Sequence, residues 1–108
     1  MANKYFRKHL IPAAATETDL YTVPDANSTV VRSLRVTNAG SGVSAITVTH
    51  NGTGTTYYLQ KDRSLTVNST FDVFNGIPCV LETGDTLKVE SSLANVHFYL
   101  SYMEMDRA

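Results

Sequence analysis

The side chains able to do chemistry are few and scattered. One thiol (Cys79), three imidazoles (His9, His50 and His97) and ten carboxylates stand among 108 residues. Nucleophilic catalysis needs a serine or cysteine within hydrogen-bond reach of a base, and a third group to orient that base. No Gly-x-Ser-x-Gly turn surrounds any serine, and Cys79 stands between Pro78 and Val80, the setting of a small buried thiol. A strand that binds metal carries ligands two residues apart on one face, and the histidines show no such spacing, nor is there a Cys-x-x-Cys. Asp62, Asp72, Glu82, Asp85 and Glu90 lie in or beside turn-forming residues, where carboxylates accept backbone N–H groups rather than flank a scissile bond. The expectation is a chain that is not an enzyme, with no catalytic residue, no cofactor and no metal.

Two other clusters suit contact rather than catalysis. Lys4-Tyr5-Phe6-Arg7-Lys8 gathers three of the nine basic residues beside two aromatics. Such a group can stack on bases and neutralise phosphate, but five residues make a small footprint, and a net charge of −1 supplies no basic field. No specific nucleic-acid partner is expected. Aromatic residues and arginine are enriched in protein interfaces, so Lys4, Tyr5, Phe6, Arg7 and Lys8 are expected to be assembly contacts. Tyr102, Met103 and Met105, followed by Asp106 and Arg107, are expected to form a second contact at the end of a strand. Tyr57, Tyr58, Tyr99 and Tyr102 offer stacking faces to a sugar, yet there is no Trp, and strand alternation sends Tyr57 and Tyr58 to opposite faces, one of them into the core. A carbohydrate-binding module is the alternative from a different functional class. The triplets Asn27-Ser28-Thr29, Asn51-Gly52-Thr53 and Asn68-Ser69-Thr70 match a glycan acceptor pattern but are read as turn chemistry.

The elements that must position these groups are strands. Fourteen Thr, eleven Val and seven Asn make a strand-and-turn composition, because β-branched side chains fit a pleated surface and Asn closes turns. Apolar residues alternate with polar ones in Leu87-Lys88-Val89-Glu90 and along residues 96–103, where Val96, Phe98, Leu100 and Tyr102 share the face expected in the core. Ile46 and Val48 share a face likewise, as do Leu34 and Val36 with Val30, Arg32 being the exception on that face. Asn51-Gly52-Thr53-Gly54 predicts a tight hairpin between residues 43–50 and 55–61. Further turns are expected at residues 38–42, Asp62-Arg63, residues 75–78, Gly84-Asp85 and Ala94-Asn95, and a loop at residues 13–18. About eight short strands without crossover helices require antiparallel sheets. The predicted fold is an all-β antiparallel β-sandwich, jelly-roll-like, although periodicity does not separate that order from an immunoglobulin-like one.

At 11.8 kDa the chain suffices for one core. Residues 1–12 are expected to be an N-terminal arm or first strand and residues 13–108 a single β-sandwich domain. One cysteine cannot form an intrachain disulfide, and no signal peptide or membrane span is expected, since no long apolar run follows the basic N-terminus.

With these residues in place, the chain resembles small β-sandwich virion structural proteins of tailed bacteriophages, particularly those of marine and freshwater phages. The resemblance rests on Leu20-Tyr21-Thr22-Val23-Pro24, on Ser33-Leu34-Arg35-Val36-Thr37-Asn38 with its following Gly/Ser turn, on Thr55-Thr56-Tyr57-Tyr58-Leu59, and on Leu81-Glu82-Thr83-Gly84-Asp85-Thr86-Leu87. It covers roughly residues 16–102 and consists of architectural patterns, so no functional residue is carried over. It implies a non-enzymatic capsid decoration or cement protein, with a neck, tail-adaptor or fibre component as the alternative. The implied partners are copies of the chain, a homotrimer first among them, and the major capsid protein or other virion proteins. The implied place is the virion, assembled in the host cytoplasm.

Overall fold

The computed structural model describes residues 3–52 and 54–106; Thr53 of the expected hairpin and Arg107 lie outside the described residues. The β-branched, turn-punctuated sequence folds as nine strands: β1 (Asn3–Leu10), β2 (Thr18–Thr22), β3 (Asn27–Asn38), β4 (Ser44–Asn51), β5 (Thr56–Leu65), β6 (Thr70–Asp72), β7 (Cys79–Leu81), β8 (Thr86–Ser91) and β9 (Val96–Asp106). They form two antiparallel sheets, one ordered β1-β9-β3-β6 with β7 also on β3, the other ordered β2-β8-β4-β5.

That order is a jelly roll. The first strand pairs with the last and the second with the last but one, so the chain winds between the sheets as two Greek keys. Among the described residues only the β4–β5 connection is a hairpin between long neighbours within one sheet. It turns at Gly54, whose φ of 77° needs a residue without Cβ strain, and Gly52 N–H donates to the carbonyl of Thr55 at 3.1 Å. Strands β6 and β7 flank opposite ends of β3, at Arg35–Thr37 and Thr29–Val31, and act as one edge strand interrupted by a turn with positive φ at Asn75 and Gly76.

The core lies between the sheets. Leu87 and Val89 of β8 and Val96, Phe98, Leu100 and Tyr102 of β9 are all buried, as their period of two dictates. Asn38 is 1% exposed and is satisfied by its own side chain's geometry. Its Nδ2 donates to the carbonyls of Gly42 (2.8 Å) and Leu65 (2.9 Å), and its Oδ1 accepts from the Gly40 N–H (3.0 Å).

Bulges and a sheet edge account for the departures from simple alternation. In β3 the core side passes from Thr29 and Val31 to Leu34, Val36 and Asn38, because the register against β9 shifts between Val31 and Ser33. Val30 therefore faces outward, and Arg32 sits at the inserted position rather than on an apolar face. Asp62-Arg63 is not a turn: both residues belong to β5, where Asp62 adopts a φ of 50° and its N–H donates to Thr47 Oγ1 at a second register shift. Tyr57 and Tyr58 do fall on opposite faces, but neither enters the core, since β5 is a sheet edge and both rings stay more than half exposed.

Candidate assembly face

Strand β9 lies between β1 and β3, so the odd-numbered residues of β9 share an outer face with their partners on both sides. In register, Tyr5 sits opposite Met103, Arg7 opposite Ser101 and His9 opposite Tyr99. Across the other flank, Ser33 sits opposite Ser101, Arg35 opposite Tyr99 and Thr37 opposite His97. The even-numbered residues of β9 from Val96 to Tyr102 are buried, so these partners point away from the core. The face carries three arginines (Arg7, Arg32, Arg35), two histidines, two tyrosines and the half-buried Met103 and Met105.

The aromatic rings give this face its rigidity. The Arg35 guanidinium lies 5.2 Å from the centre of the Tyr99 ring, and His9 stacks on the same ring at 6.0 Å with 26° between planes. A chain of guanidinium, phenol and imidazole groups thus crosses β3, β9 and β1, the exposed Arg35 cation–ring contact contributing on the order of 0.5–1 kcal/mol. A shallow depression of about 440 Å³ lies beside it, lined by Tyr5, Phe6, Arg7, Arg32, Tyr99, Ser101 and Tyr102. A second, of about 490 Å³, is lined by His9, Leu10, Ile11, His97, Phe98 and Tyr99. Among the described residues the ion pairs are His50–Asp85, Lys88–Glu17 and Lys88–Asp19, so none of the three arginines has a carboxylate partner. Asp72, the carboxylate at this sheet's edge, accepts the backbone N–H groups of Leu34, Phe74 and Gly76 instead.

Alternation splits the residues expected to be assembly contacts. Tyr5, Arg7, Met103 and Met105 lie on the outer face just described. Lys4, Phe6 and Lys8 project on the opposite side of β1: Lys4 sits opposite Glu104, Phe6 stacks on Tyr102 at 5.6 Å, and the Lys8 ammonium lies 5.9 Å from the Tyr21 ring. Tyr102 is 6% exposed and belongs to the core, so its ring supports Phe6 and Tyr21 from within rather than offering a free surface. Residues 3–10 form no detached arm; they pair with β9 along their whole length. Alternation alone puts His97 on the face opposite Phe98, outward and open to a subunit contact, but sequence does not point to Arg32, Arg35, His9 or Tyr99 as assembly contacts. Their common feature was present as outward positions of alternating runs, but joining them requires knowing that β9 stands between β1 and β3.

Of the groups considered for catalysis, His50 and Asp85 meet, and among the described residues no nucleophile is hydrogen-bonded to them. His50 Nε2 and Asp85 Oδ2 are 2.9 Å apart, and the same Asp85 oxygen accepts the Glu82 N–H at 3.0 Å, which ties the turn before β8 to the end of β4. Among the described residues no hydroxyl or thiol is hydrogen-bonded to a histidine ring, and no three metal-ligating side chains cluster. Burial, with a smaller contribution from Asp85, pushes the Cys79 thiol above its ordinary pKa, so it holds its proton and is a poor nucleophile. Burial and the hydrogen bond to Glu104 likewise push the Tyr21 phenol up.

No protein-family model and no curated protein matches the chain. Among solved structures it is similar in fold to a subunit of Bacillus endospore appendages, described as disulfide-linked pili, with a TM-score of 0.60 and 14% identity over 99% of this chain and 88% of that one. It also aligns with a pentameric capsid protein from metagenomic phage sequences, with a TM-score of 0.46 and 22% identity over 97% of this chain and 62% of that one. A chain of the T13 IBDV viral particle aligns with a TM-score of 0.49 and 12% identity over 98% of this chain and 36% of that one. The chain thus spans less than two thirds of either capsid chain.

Proposed function

We propose that this chain is a non-enzymatic structural subunit of a virion, a decoration or cement protein that binds and stabilises the head shell as a homo-oligomer. The observation that carries the proposal is the outer face of β1, β9 and β3, where arginines without carboxylate partners are interleaved with aromatic rings on a rigid sheet. Arginine, tyrosine and methionine are the residue types that protein interfaces concentrate, and a sheet fixes their spacing before any partner arrives, which limits the entropy lost on docking. A jelly roll whose apolar core is closed by hydrogen-bonded buried side chains such as Asn38 and Thr29 suits a subunit that holds its shape and works through its surfaces. The expected oligomer is a trimer of about 35 kDa, three copies of the 11.8 kDa chain.

Assembly in this proposal is non-covalent. Each copy of the 108 residues carries a single thiol, which joins two copies at most, so a continuous disulfide-linked polymer does not follow from the fold likeness to the pilus subunit. Antibody labelling of intact virions, viewed by electron microscopy, tests the proposal. Label distributed over heads is expected. Label confined to necks or tails overturns the decoration role in favour of an adaptor, and virions without label overturn the virion role.

A further inference from the structure

The two outer faces of the sandwich differ in charge. The face of β1, β9 and β3 carries Arg7, Arg32 and Arg35, with its edge carboxylate Asp72 turned onto backbone amides. The opposite outer face, built on β2, β8, β4 and β5, carries Asp19, Asp62 and Glu90, with Glu17 just before β2. Two lysines stand among these four carboxylates, while Arg63 of β5, opposite the buried Ile46, turns to the sheet edge over the Phe71 ring at 4.1 Å. Lys88 is shared between Asp19 (3.4 Å) and Glu17 (3.9 Å), and Lys61 lies over the Tyr58 ring at 4.9 Å. Asp62 accepts a hydrogen bond from Thr47, and among the described residues Glu90 has no cationic partner. A chain of net charge −1 has therefore separated its charges onto two sides.

We infer that the occupant of the basic, aromatic face is the acidic face of a second copy of this chain. This rests on the proposal that the chain works by assembling with itself and specifies the surfaces used. A two-fold contact of the basic face with itself sets arginine against arginine, and the same holds for carboxylates on the acidic face; like charges brought together disfavour both. Basic against acidic satisfies both at once. Such a contact is heterologous, so it closes into a ring, a trimer included, or runs on as a stack. Exposed pairs between the faces are screened by salt, so association weakens as ionic strength rises.

Charge reversal with rescue tests the inference. One variant carries Arg32→Glu and Arg35→Glu, making both faces acidic; the other carries Asp19→Lys and Glu90→Lys, making both basic. Arg32, Arg35 and Asp19 are exposed and Glu90 is half-buried, away from the core cluster. In sedimentation velocity at about 50 mM salt, the wild type is expected to associate, each variant alone to associate at least about tenfold more weakly, and their equimolar mixture to recover association as alternating, even-numbered species, because a ring of three cannot alternate two kinds of subunit. Recovery cannot come from unfolded variants, and circular dichroism of each confirms the strands. Wild-type association that falls as salt is raised supports the same contact without any variant. If both variants associate like the wild type, or if the folded variants lose association and their mixture does not regain it, this inference fails while self-assembly stands. If the wild type binds a single-stranded oligonucleotide through Arg32 and Arg35 and does not self-associate, the face belongs to another polyanion and the inference is overturned. A wild type that stays monomeric and binds no oligonucleotide overturns the assembly proposal as well.

Discussion

The hydroxyl of Tyr21 donates to Glu104 Oε2 at 2.5 Å across 83 positions of sequence, tying β2 of one sheet to β9 of the other. The same hydroxyl lies 2.6 Å from Thr29 Oγ1 of β3, so one phenol links three strands at one end of the sandwich. Tyr21→Phe leaves the carboxylate and the threonine short of a partner, and a loss of about 1–3 kcal/mol is expected in urea unfolding.

The same group dictates behaviour in alkali. Tyr21 and Tyr102 hold their protons in the fold beyond the ordinary phenol value of 10.0, the first through burial and Glu104, the second through burial and then Glu104. Above that pH the unfolded chain binds fewer protons than the native one, so stability falls as pH rises; below it, these phenols are protonated in both states and contribute no slope. Melting temperatures between about pH 8 and 11 are expected to be flat at first and then to drop, and Tyr21→Phe is expected to lessen the drop.

Asn38 is a turn residue with a buried task. Asn38→Ala strips two carbonyls and one amide of their partners and is expected to cost about 2–3 kcal/mol. Gly40 beside it is tightly placed, since a Cβ there would meet the Ala94 carbonyl oxygen at 3.0 Å and that backbone would have to give by a few tenths of an ångström. Gly40→Ala is therefore expected to lower the melting temperature too, by roughly 4–8 °C for each kcal/mol lost.

Adjacent residues of β9 are expected to separate stability from assembly. Phe98 is fully buried, and Phe98→Ala is expected to cost about 3–5 kcal/mol in chemical denaturation. Tyr99 faces outward between Arg35 and His9, so Tyr99→Ala is expected to cost about 1 kcal/mol or less while weakening self-association measurably. Equal effects of both on stability, with none on association, would count against the face.

Most of the layered architecture was legible as alternation. The runs at Leu87–Glu90 and Val96–Tyr102 name their buried residues directly, and the hairpin at Asn51–Gly54 announces itself through turn chemistry. Strand order was not legible, because periodicity records which face a residue occupies and not which strand lies beside it. Bulges were hidden for the same reason: inserting Arg32 exchanges the faces of β3 without altering composition, and Asp62 resembles a turn residue while lying inside β5. The assembly face was half legible. Tyr5 and Arg7 stood out as interface types, but Arg35 and Tyr99 gain meaning only once β3 and β9 are known to pair.

The thiol offers a separate check on non-covalent assembly. Cys79 is half-buried and its ionisation is suppressed by burial, so reaction with an aromatic disulfide reagent at about pH 8 is expected to be slower in the native chain than in the unfolded one. Cys79→Ser is expected to leave the assembled mass unchanged.

The solution mass of the purified wild-type chain, followed by light scattering over a concentration series at low salt, tests the central claim most directly. Mass rising from 11.8 kDa to a multiple of it, with a plateau near 35 kDa for a closed ring of three, is the predicted result. A mass of 11.8 kDa at every concentration would contradict a protein that works by assembling with its own copies.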